Sequence, residues 1–418
     1  MKARLRFSCG FLALLFAPAI AHAQACPRIA TADLEGPIAT VRYLADDALG
    51  GRLAGTPQER CAGNYIAERL RRAGVEAGAA NGTYFQDVPL RSAVQPHAPP
   101  GTGRNVVGIL RGSDPQLREE YVVIGAHYDH LGLGEFGSLS PGGGIHNGAD
   151  DNASGVAVLL ETAERLAKQR PARSVLFVAF TGEESGLLGS MHFVEASPVP
   201  LASIRAMLNL DMVGRLRQGG LIVYGIGTAR EWEEIIPRAL NEAGVKGGLE
   251  PDGYGASDHT SFYLRDIPVL HFFTNVHDQY HRPEDDWQLI DREGLERVST
   301  IVTAVARSVG DRSRPLTLVR GAGKPPATTG QRGYGASLGT VPDMRPVERG
   351  VKLQGIRAGS AAEAAGLRAG DVIVAFDDEE ILDLVGMTEA LRKRKPGQSV
   401  RITVLRDGTP VTVTAVLR

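Results

Sequence analysis

Short, nearly continuous apolar runs alternate with longer segments of helical periodicity over most of the chain. The apolar runs predict strands at residues 105–110, 121–126, 174–180, 204–210, 221–224 and 269–273. The periodic segments predict helices at residues 38–73, with a break at 50–57, and at 156–167, 231–243 and 293–309. Because such strands are usually covered on both faces, we predict an α/β sandwich around a mostly parallel mixed sheet.

The pattern changes near residue 311. Residues 311–333 are rich in glycine and proline, have no apolar periodicity and predict a linker. Beyond them, apolar positions alternate at residues 400–404 and 411–417 on either side of Asp407-Gly408, which predicts a β-hairpin. We therefore expect a small β-rich domain at residues 334–418.

The first 23 residues have the organisation of a secretory signal. Three basic residues within positions 2–6 precede an apolar run at residues 7–20, and residues 21–23 read Ala-His-Ala, as at a cleavage site. The apolar run is too short for a membrane span. We therefore expect an exported protein, periplasmic or extracellular, whose large domain occupies residues 24–310.

The net charge bears on which partners the protein binds, and the cysteine content bears on its compartment. The formal net charge of -2 over 418 residues gives no reason to expect a nucleic acid partner. Cys26 and Cys61 remain after removal of the signal, and in an oxidising compartment they predict either a disulfide or two buried thiols.

Polar residues that could bind metal ions follow the predicted strands directly. They are His127, Glu183, Glu184 and Asp211. A further pair, Asp150-Asp151, joins a glycine-rich loop to the helix predicted at 156–167. Singly, such residues are ordinary turn formers, helix caps or helix starts, but Asp211 ends an apolar strand, where an unpaired carboxylate is costly. Because ligands bind outside the carboxyl ends of strands in open α/β sheets, we predict one cleft.

Three carboxylates and two imidazoles form the candidate ligand set. Its members are His127, Asp151, Glu184, Asp211 and His281. Imidazole and carboxylate without thiolate suit zinc, with cobalt or manganese as substitutes, and two divalent cations in this set suit a bridging hydroxide nucleophile. Glu183 is then free to take the proton of the water, and Asp129 can orient the His127 imidazole. The other nearby histidines predict packing or hydrogen-bonding roles: His130, His146, His259, His271 and His277.

Five motifs carry a resemblance to a known family. They are Ala126-His127-Tyr128-Asp129, residues 148–155, Gly182-Glu183-Glu184-Ser185-Gly186-Leu187, Leu210-Asp211-Met212 and Tyr280-His281. They resemble the dizinc aminopeptidase family that includes aminopeptidase Y and bacterial leucyl aminopeptidases, and the likeness runs from about residue 38 to residue 309. The resemblance implies a three-layer α/β/α zinc-peptidase sandwich with two zinc ions per chain.

The same resemblance implies a role for each matching residue. Asp151 would bridge both zinc ions, while Asp150 would not be a ligand. Glu184 and His281 would complete one zinc site, and His127 and Asp211 the other. Glu183 would be the general base, Tyr280 would stabilise the oxyanion, and Asp258 would lie near the substrate pocket.

The C-terminal unit resembles a PDZ domain of the bacterial protease kind. Residues 359–371, followed by Val372-Ile373-Val374, carry this likeness. The resemblance implies a loop whose backbone N–H groups hold the carboxylate of a C-terminal peptide ligand. That loop would contain Tyr334, Gly335, Leu338 and Gly339.

The leading interpretation is an exported zinc metallopeptidase, an aminopeptidase that hydrolyses N-terminal residues from peptides with a free N-terminus through a metal-bridged hydroxide. The same scaffold could serve a carboxypeptidase, an endopeptidase or an enzyme that cyclises N-terminal glutamine, although the full ligand set favours hydrolysis. A non-enzymatic interpretation is a PDZ peptide-binding scaffold with a vestigial metal cleft, and the intact ligands and Glu183 argue against it. We expect no membrane span after signal removal.

Overall fold

The computed structural model describes two units with separate hydrophobic cores. The described residues are 26–30, 34–90, 101–135, 137–140, 142–322, 336–343, 347–382, 386–387, 390–391 and 393–418. The predicted signal at residues 1–23 lies outside them. Among the described helices, none combines the length and the apolar character needed to cross a membrane.

The large unit alternates strands and helices. Its helices are α1 (Pro37–Leu44), α2 (Pro57–Arg72), α3 (Gly155–Lys168), α4 (Leu188–Glu195), α5 (Leu216–Gly219), α6 (Trp232–Glu242), α7 (His259–Tyr263) and α8 (Arg292–Gly310). Its strands are β1 (Glu76–Ala77), β2 (Phe85–Leu90), β3 (Gly101–Leu110), β4 (Tyr121–His127), β5 (Ser174–Phe180), β6 (Ile204–Leu210), β7 (Leu221–Tyr224), β8 (Gly247–Glu250) and β9 (Val269–Phe273). All six predicted strands are present.

The strands form one nine-stranded sheet in the order β1-β3-β5-β4-β6-β9-β7-β8, with β2 paired to β3. The four central strands, β5, β4, β6 and β9, run parallel. Every residue of β4 and β5 is buried, because α3 and α8 cover one face of the sheet and α4 and α7 cover the other. The predicted three-layer α/β/α sandwich around a mixed sheet is therefore confirmed.

Three strands were not predicted, namely β1, β2 and β8. They are short or largely exposed, so their sequences lack the continuous apolar run that marked the others. In the β2–β3 ladder, Pro89 pairs with Thr102 and Leu90 with Gly101, so these residues are in strands although proline and glycine are uncommon in strand interiors.

Cys26 and Cys61 form a disulfide with their Cα atoms 5.4 Å apart. Cys61 lies in the second turn of α2, so the bond attaches the segment before α1 to this helix. Of the two interpretations open from the sequence, the structure has the disulfide.

The small unit is an antiparallel sheet of six strands. They are β10 (Thr340–Pro342), β11 (Val351–Ile356), β12 (Val372–Phe376), β13 (Glu379–Glu380), β14 (Ser399–Arg406) and β15 (Thr409–Val416), with the short helix α9 (Ala361–Ala364). The predicted hairpin is β14–β15, paired from Ser399–Val416 to Arg406–Thr409. Its turn residues Asp407 and Gly408 both have positive φ, 51° and 80°, as a two-residue hairpin turn requires.

Part of the predicted linker at residues 311–333 is packed on the large unit. Thr317 donates from its hydroxyl to Glu231 at 2.9 Å, Leu318 pairs with Ala229, and Arg320 forms an ion pair with Asp266 at 2.6 Å. These contacts are made by polar side chains and backbone, which explains why no apolar pattern indicated them. The described start of this segment is therefore part of the large unit.

Candidate metal centre

The predicted ligands meet at one edge of the large sheet. Three of them stand at or just after the ends of β4, β5 and β6, one lies in the turn before α3 and one follows β9: His127, Glu184, Asp211, Asp151 and His281. Because β4, β5, β6 and β9 are parallel, their carboxyl ends share that edge. The sheet topology thus gathers residues that are far apart in the sequence.

Asp151 stands between two pairs of ligands. Its Oδ1 lies 3.3 Å from His127 Nε2, which is also 3.3 Å from Asp211 Oδ1. Its Oδ2 lies 3.3 Å from His281 Nε2, which is 3.2 Å from Glu184 Oε2. We call His127 and Asp211 the strand side, and Glu184 and His281 the loop side. One carboxylate oxygen faces each side, as a bridge between two cations requires.

Without metal ions, the imidazoles and carboxylates hold one another by charge. Burial lowers the pKa of His281, but Asp151 and Glu184 outweigh it and raise that pKa to about 11. Burial also opposes charge on His127, whose pKa is nevertheless raised well above its usual value by carboxylates including Glu183 and Asp211. The site therefore favours positive charge among its carboxylates, which suits bound cations.

A buried ion pair holds the backbone at Asp151. Asp285 accepts hydrogen bonds from the backbone N–H groups of Asp150 at 2.8 Å and Asp151 at 3.1 Å, and from Arg215 at 2.9 Å. The Asp150 carboxylate turns away from the cleft and accepts from the Gly214 N–H at 2.6 Å. The sequence analysis did not identify Arg215 or Asp285 as site residues, because no local sequence pattern indicates that they contact residue 151.

The loop that precedes Asp151 is held by the buried guanidinium of Arg52. This group donates to the backbone oxygens of Tyr128 at 2.9 Å, Asn147 at 2.6 Å and Gly148 at 3.1 Å. Gly148 has a φ of 53°, and a Cβ there would lie 2.1 Å from the Asp151 carbonyl oxygen, so a side chain is excluded. Burial lowers the pKa of Arg52 to about 10. From the sequence, Arg52 was placed only in the break at residues 50–57 of a predicted helical segment.

On the strand side, Asp129 acts differently from the prediction. His127 Nδ1 lies 3.2 Å from the backbone oxygen of Asp129 and 3.7 Å from its carboxylate, so the closer contact is the carbonyl. The carboxylate instead accepts from the Glu183 N–H at 3.1 Å. Ser257 donates its hydroxyl to Asp211 at 2.8 Å and so holds the second ligand of this side.

On the loop side, His281 lies in a loop and Glu184 in the turn after β5, and hydrogen bonds hold both. His281 has a φ of 54°, and its Nδ1 lies 2.9 Å from the carbonyl oxygen of Gly137. Glu184 is held through Oε1 by His130 Nδ1 at 2.7 Å. The sequence predicted a packing or hydrogen-bonding role for His130 but did not indicate that its partner is a ligand.

A cleft of about 340 Å³ opens beside the ligands. Glu183 lines it, with Oε2 4.0 Å from His127 Nε2. Burial raises the pKa of Glu183 well above its usual value against the opposing effect of His127, and Asp211 and Glu184 raise it further. Tyr280 also lines the cleft, and burial together with Asp151 and Glu184 raises the pKa of its hydroxyl, which therefore remains protonated.

Asp258 lies beside the cleft without lining it. Its side chain is completely buried, and the residues that line the cleft are its neighbours Ser257 and His259. Burial raises the pKa of Asp258 to about 7. The carboxylate thus stands behind the pocket wall rather than in the pocket.

The predicted carboxylate loop of the small unit is described only in part. Tyr334 and Gly335 lie outside the described residues. Leu338 is buried in the core of the small unit, and Gly339, with a φ of 80°, leads into β10. Within the described residues β10 pairs with β11 alone, which leaves its other edge available.

The donor atoms fit zinc. Imidazole nitrogen and carboxylate oxygen are preferred zinc ligands, and tetrahedral bonds of about 2.0 Å place neighbouring donor atoms roughly 3.3 Å apart. The observed separations around Asp151 are 3.2 to 3.3 Å. Ligand atoms of His127, Glu183 and Asp211, and those of His127, Asp151 and Glu184, also lie within 4.8 Å of one another. Fold and site define a metalloenzyme domain of the α/β/α class.

Comparison with known families gives the particular assignment. Residues 105–306 match Peptidase family M28, and residues 338–417 match the PDZ domain. Over these residues the chain is similar to a family M28 peptidase domain followed by a PDZ domain. Both resemblances stated from the sequence are confirmed.

Two curated relatives illustrate the similarity. The chain is 31% identical to aminopeptidase YwaD of Bacillus subtilis over 228 residues, 52% of this chain and 47% of the relative. It is 28% identical to leupeptin-inactivating enzyme 1 of Streptomyces exfoliatus over 274 residues, 65% of this chain and 55% of the relative. The chain thus spans about half the length of the curated relatives it matches.

Two solved structures share the fold of the large domain. A zinc aminopeptidase from Bacillus subtilis aligns with a TM-score of 0.53 at 20% identity, covering 70% of this chain and 97% of that one. A Zn-dependent exopeptidase from Parabacteroides distasonis aligns with a TM-score of 0.54 at 23% identity, covering 68% and 99%. These similarities support the fold.

Proposed function

We propose that the protein is a zinc-dependent aminopeptidase with two zinc ions per chain. The observation that carries this proposal is the position of Asp151, with one oxygen 3.3 Å from His127 and the other 3.3 Å from His281. Asp211 would complete the strand-side ion and Glu184 the loop-side ion. The relatives named as aminopeptidases support the reaction class.

The chain's own residues would manage the protons of peptide hydrolysis. Zinc ions at this site would supply Lewis acidity that polarises the scissile carbonyl and acidifies water. Glu183 would accept the proton of the attacking water and pass it to the leaving amine. The protonated Tyr280 hydroxyl would donate a hydrogen bond to the developing oxyanion. Both side chains line the cleft beside the ligands, which supports these roles.

The charges of the cleft favour a substrate N-terminus. Carboxylates of Glu183, Glu184 and Asp211 line it, and among its described lining residues there is no lysine or arginine. A peptide ammonium group can pair with such carboxylates, whereas a C-terminal carboxylate would find no side-chain cation there and could approach only the zinc ions that the reaction itself needs. This favours an aminopeptidase over a carboxypeptidase.

Paired amide substrates test the reaction. The zinc-loaded protein should hydrolyse aminoacyl amides and leave the matching acetyl-aminoacyl amides almost untouched, because acetylation removes the ammonium group that the carboxylates bind. Efficient cleavage of acetylated peptides at internal bonds would indicate an endopeptidase instead.

A pair of neighbouring variants tests the assignment of base and ligand. Glu183→Gln should lower kcat roughly 10²- to 10⁴-fold with both zinc ions retained, whereas Glu184→Gln should reduce zinc content by one ion. The opposite result would require the two roles to be exchanged.

We further propose export and a peptide ligand for the PDZ domain. The signal pattern at residues 1–23 and the disulfide between Cys26 and Cys61 support an oxidising compartment. The available edge of β10 supports binding of a C-terminal peptide as an added strand. Export can be tested on protein isolated from the export compartment. Its mass before and after reduction would show whether the disulfide is present, and its zinc content would show whether the exported protein holds the metal.

A further inference from the structure

One segment of the peptidase domain separates the catalytic cleft from the PDZ domain. We call residues 252–258 the wall segment. On one side, Tyr254, Gly255, Ala256 and Ser257 line the cleft beside the metal ligands. On the other side, Asp252 and Tyr254 border a small cavity together with PDZ-domain residues, including Arg357. Tyr254 lies on both sides, so it is shared between the cleft and the domain contact.

Arg357 of the PDZ domain holds the wall segment at two points. Its Nη1 lies 3.1 Å from Asp252 Oδ2, and its guanidinium carbon lies 5.2 Å from the centre of the Tyr254 ring. Ala358 borders the same small cavity as Tyr254. The Arg357 and Asp252 side chains are 31% and 25% exposed, so the ion pair is only partly screened by water.

The domain contact continues beside the wall segment. Gln354 on β11 is buried, with its Nε2 3.5 Å from Ser261 Oγ of α7. A Cβ on Gly355 would lie 2.2 Å from Leu264 Cδ2, so glycine allows β11 to approach the end of α7 closely. The PDZ domain is therefore seated against the peptidase domain rather than only attached by chain.

The far end of the wall segment is attached to the metal site. Ser257 donates its hydroxyl to Asp211 at 2.8 Å and accepts from Asn209 at 2.7 Å. Between the two anchored ends, Gly255 and Ala256 are exposed. The position of Tyr254 thus depends on an anchor in each domain.

We propose that the PDZ domain shapes the substrate pocket through Tyr254, with Arg357 as a positioning residue that fixes this ring against the side chain of the N-terminal substrate residue. This inference rests on the proposed aminopeptidase function. Other residues of the pocket lining also carry rings, and the ring centres of Tyr224 and Phe273 each lie 5.7 Å from that of His271. A pocket enclosed by aromatic rings suits a large apolar or aromatic N-terminal side chain.

Kinetics on two amides in the full chain test the positioning role. Arg357→Ala should raise KM for phenylalanine amide roughly 5- to 30-fold, because it removes both an ion pair and a cation–π contact. KM for alanine amide, kcat and zinc content should change less than about twofold, since a methyl group does not reach the Tyr254 ring. Arg357→Lys, which keeps the charge, should restore most of the phenylalanine preference.

Arg401→Ala is the matched control, because Arg401 is also a PDZ-domain arginine paired with an aspartate, Asp378, but is 60% exposed and outside the domain contact. It should behave as the unmodified protein. An equal rise of KM for both amides in Arg357→Ala, or no rise, would overturn the proposal.

Hydrogen exchange gives a readout that needs no activity. Amides of residues 252–258 should exchange faster in Arg357→Ala than in the unmodified chain, with Arg401→Ala unchanged. Faster exchange together with failure of every variant to hydrolyse free aminoacyl amides would refute the proposed function while supporting the contact. Identical exchange in Arg357→Ala and the unmodified chain would refute the wall contact itself.

Discussion

The two sides of the candidate metal centre are built in different ways. On the strand side, His127 and Asp211 stand at the ends of the buried strands β4 and β6, and the His127 side chain is 1% exposed. On the loop side, His281 follows β9 in a loop, has positive φ and is 15% exposed. The same bridging residue, Asp151, faces both.

This difference indicates where rigidity comes from. The sheet fixes the strand side through backbone pairing of parallel strands, whereas the loop side depends on hydrogen bonds of His281 to Gly137 and Leu139 and of Glu184 to His130. Side chains on regular elements are held more firmly than those on loops. We therefore expect the strand-side ion to bind more tightly, with Asp151 essential to both sides.

Removing the shared residue should have the largest effect. Asp151→Ala should lose both zinc ions and all activity, because it takes away the one carboxylate that faces both histidines. Asp150→Asn is the control, since that carboxylate turns toward Gly214. Elemental analysis of both purified variants would decide, and two zinc ions retained by Asp151→Ala would end the bridging assignment.

Removing one ligand should separate the two sides. His281→Ala should keep about one zinc ion per chain, held by His127, Asp151 and Asp211, because those residues do not depend on the loop. Asp211→Asn should keep the loop-side ion and hold it more weakly than His281→Ala holds the strand-side ion. Competition with a graded chelator would measure both affinities, and tighter binding in Asp211→Asn would reverse the ranking of the two sides.

A hydrogen-bond partner should affect only the loop side. His130→Phe should weaken the loop-side ion roughly 10- to 100-fold, the usual effect of losing a residue that holds a metal ligand. The strand-side ion serves as the control within the same molecule. His130 contacts the loop-side ligand Glu184 and is not hydrogen-bonded to the strand-side ligands His127 and Asp211. Equal weakening of both ions would mean that His130 acts through the fold as a whole.

The smallest effect is expected on the pH dependence of stability. Glu59 on α2 accepts the hydroxyl of Thr181 at 2.5 Å, next to the turn that carries Glu183 and Glu184. Burial raises the pKa of Glu59 to about 7, against an ordinary value of 4.5. A raised folded-state pKa gives stability that is present below the unfolded pKa and is lost as pH rises through the folded one.

The unmodified protein should therefore lose stability relative to Glu59→Gln between about pH 5 and pH 8, by on the order of 1 to 3 kcal/mol. The glutamine amide does not ionise in this pH range, so residue 59 contributes nothing to the pH dependence of the variant's free energy of unfolding. Urea unfolding at several pH values measures the difference. Parallel pH profiles of the two proteins would show that Glu59 ionises normally in the folded state.

Strong periodic signals in the sequence were sufficient for the central fold. Strands β5 and β6 have the bounds that their apolar runs predicted, because both faces of these strands are covered by helices. The short strand β8 was missed, since three of its four residues are exposed and need no apolar side chain. The hairpin β14–β15 was recognised from its Asp-Gly turn.

For the site, residue chemistry at strand ends identified the candidate ligands, but not what holds them. His127 and Asp211 could be identified as candidate ligands because each is a polar residue directly after an apolar run in the sequence. Asp285, which is distant in sequence from Asp151, carries no local pattern that identifies its contact with the Asp151 backbone at 3.1 Å. The relation of Arg357 to Tyr254 was equally hidden, because it joins two domains.

The sequence by itself determined which residue types stand at the ends of buried strands, because burial of both faces imposes an apolar pattern that polar ligands interrupt. Only the tertiary structure decided which oxygen of Asp151 faces which histidine, that Asp129 contacts His127 through its carbonyl, and that the PDZ domain contacts the segment that lines the cleft. Those features depend on contacts between residues far apart in the chain, and their side chains leave no periodic mark in the local sequence.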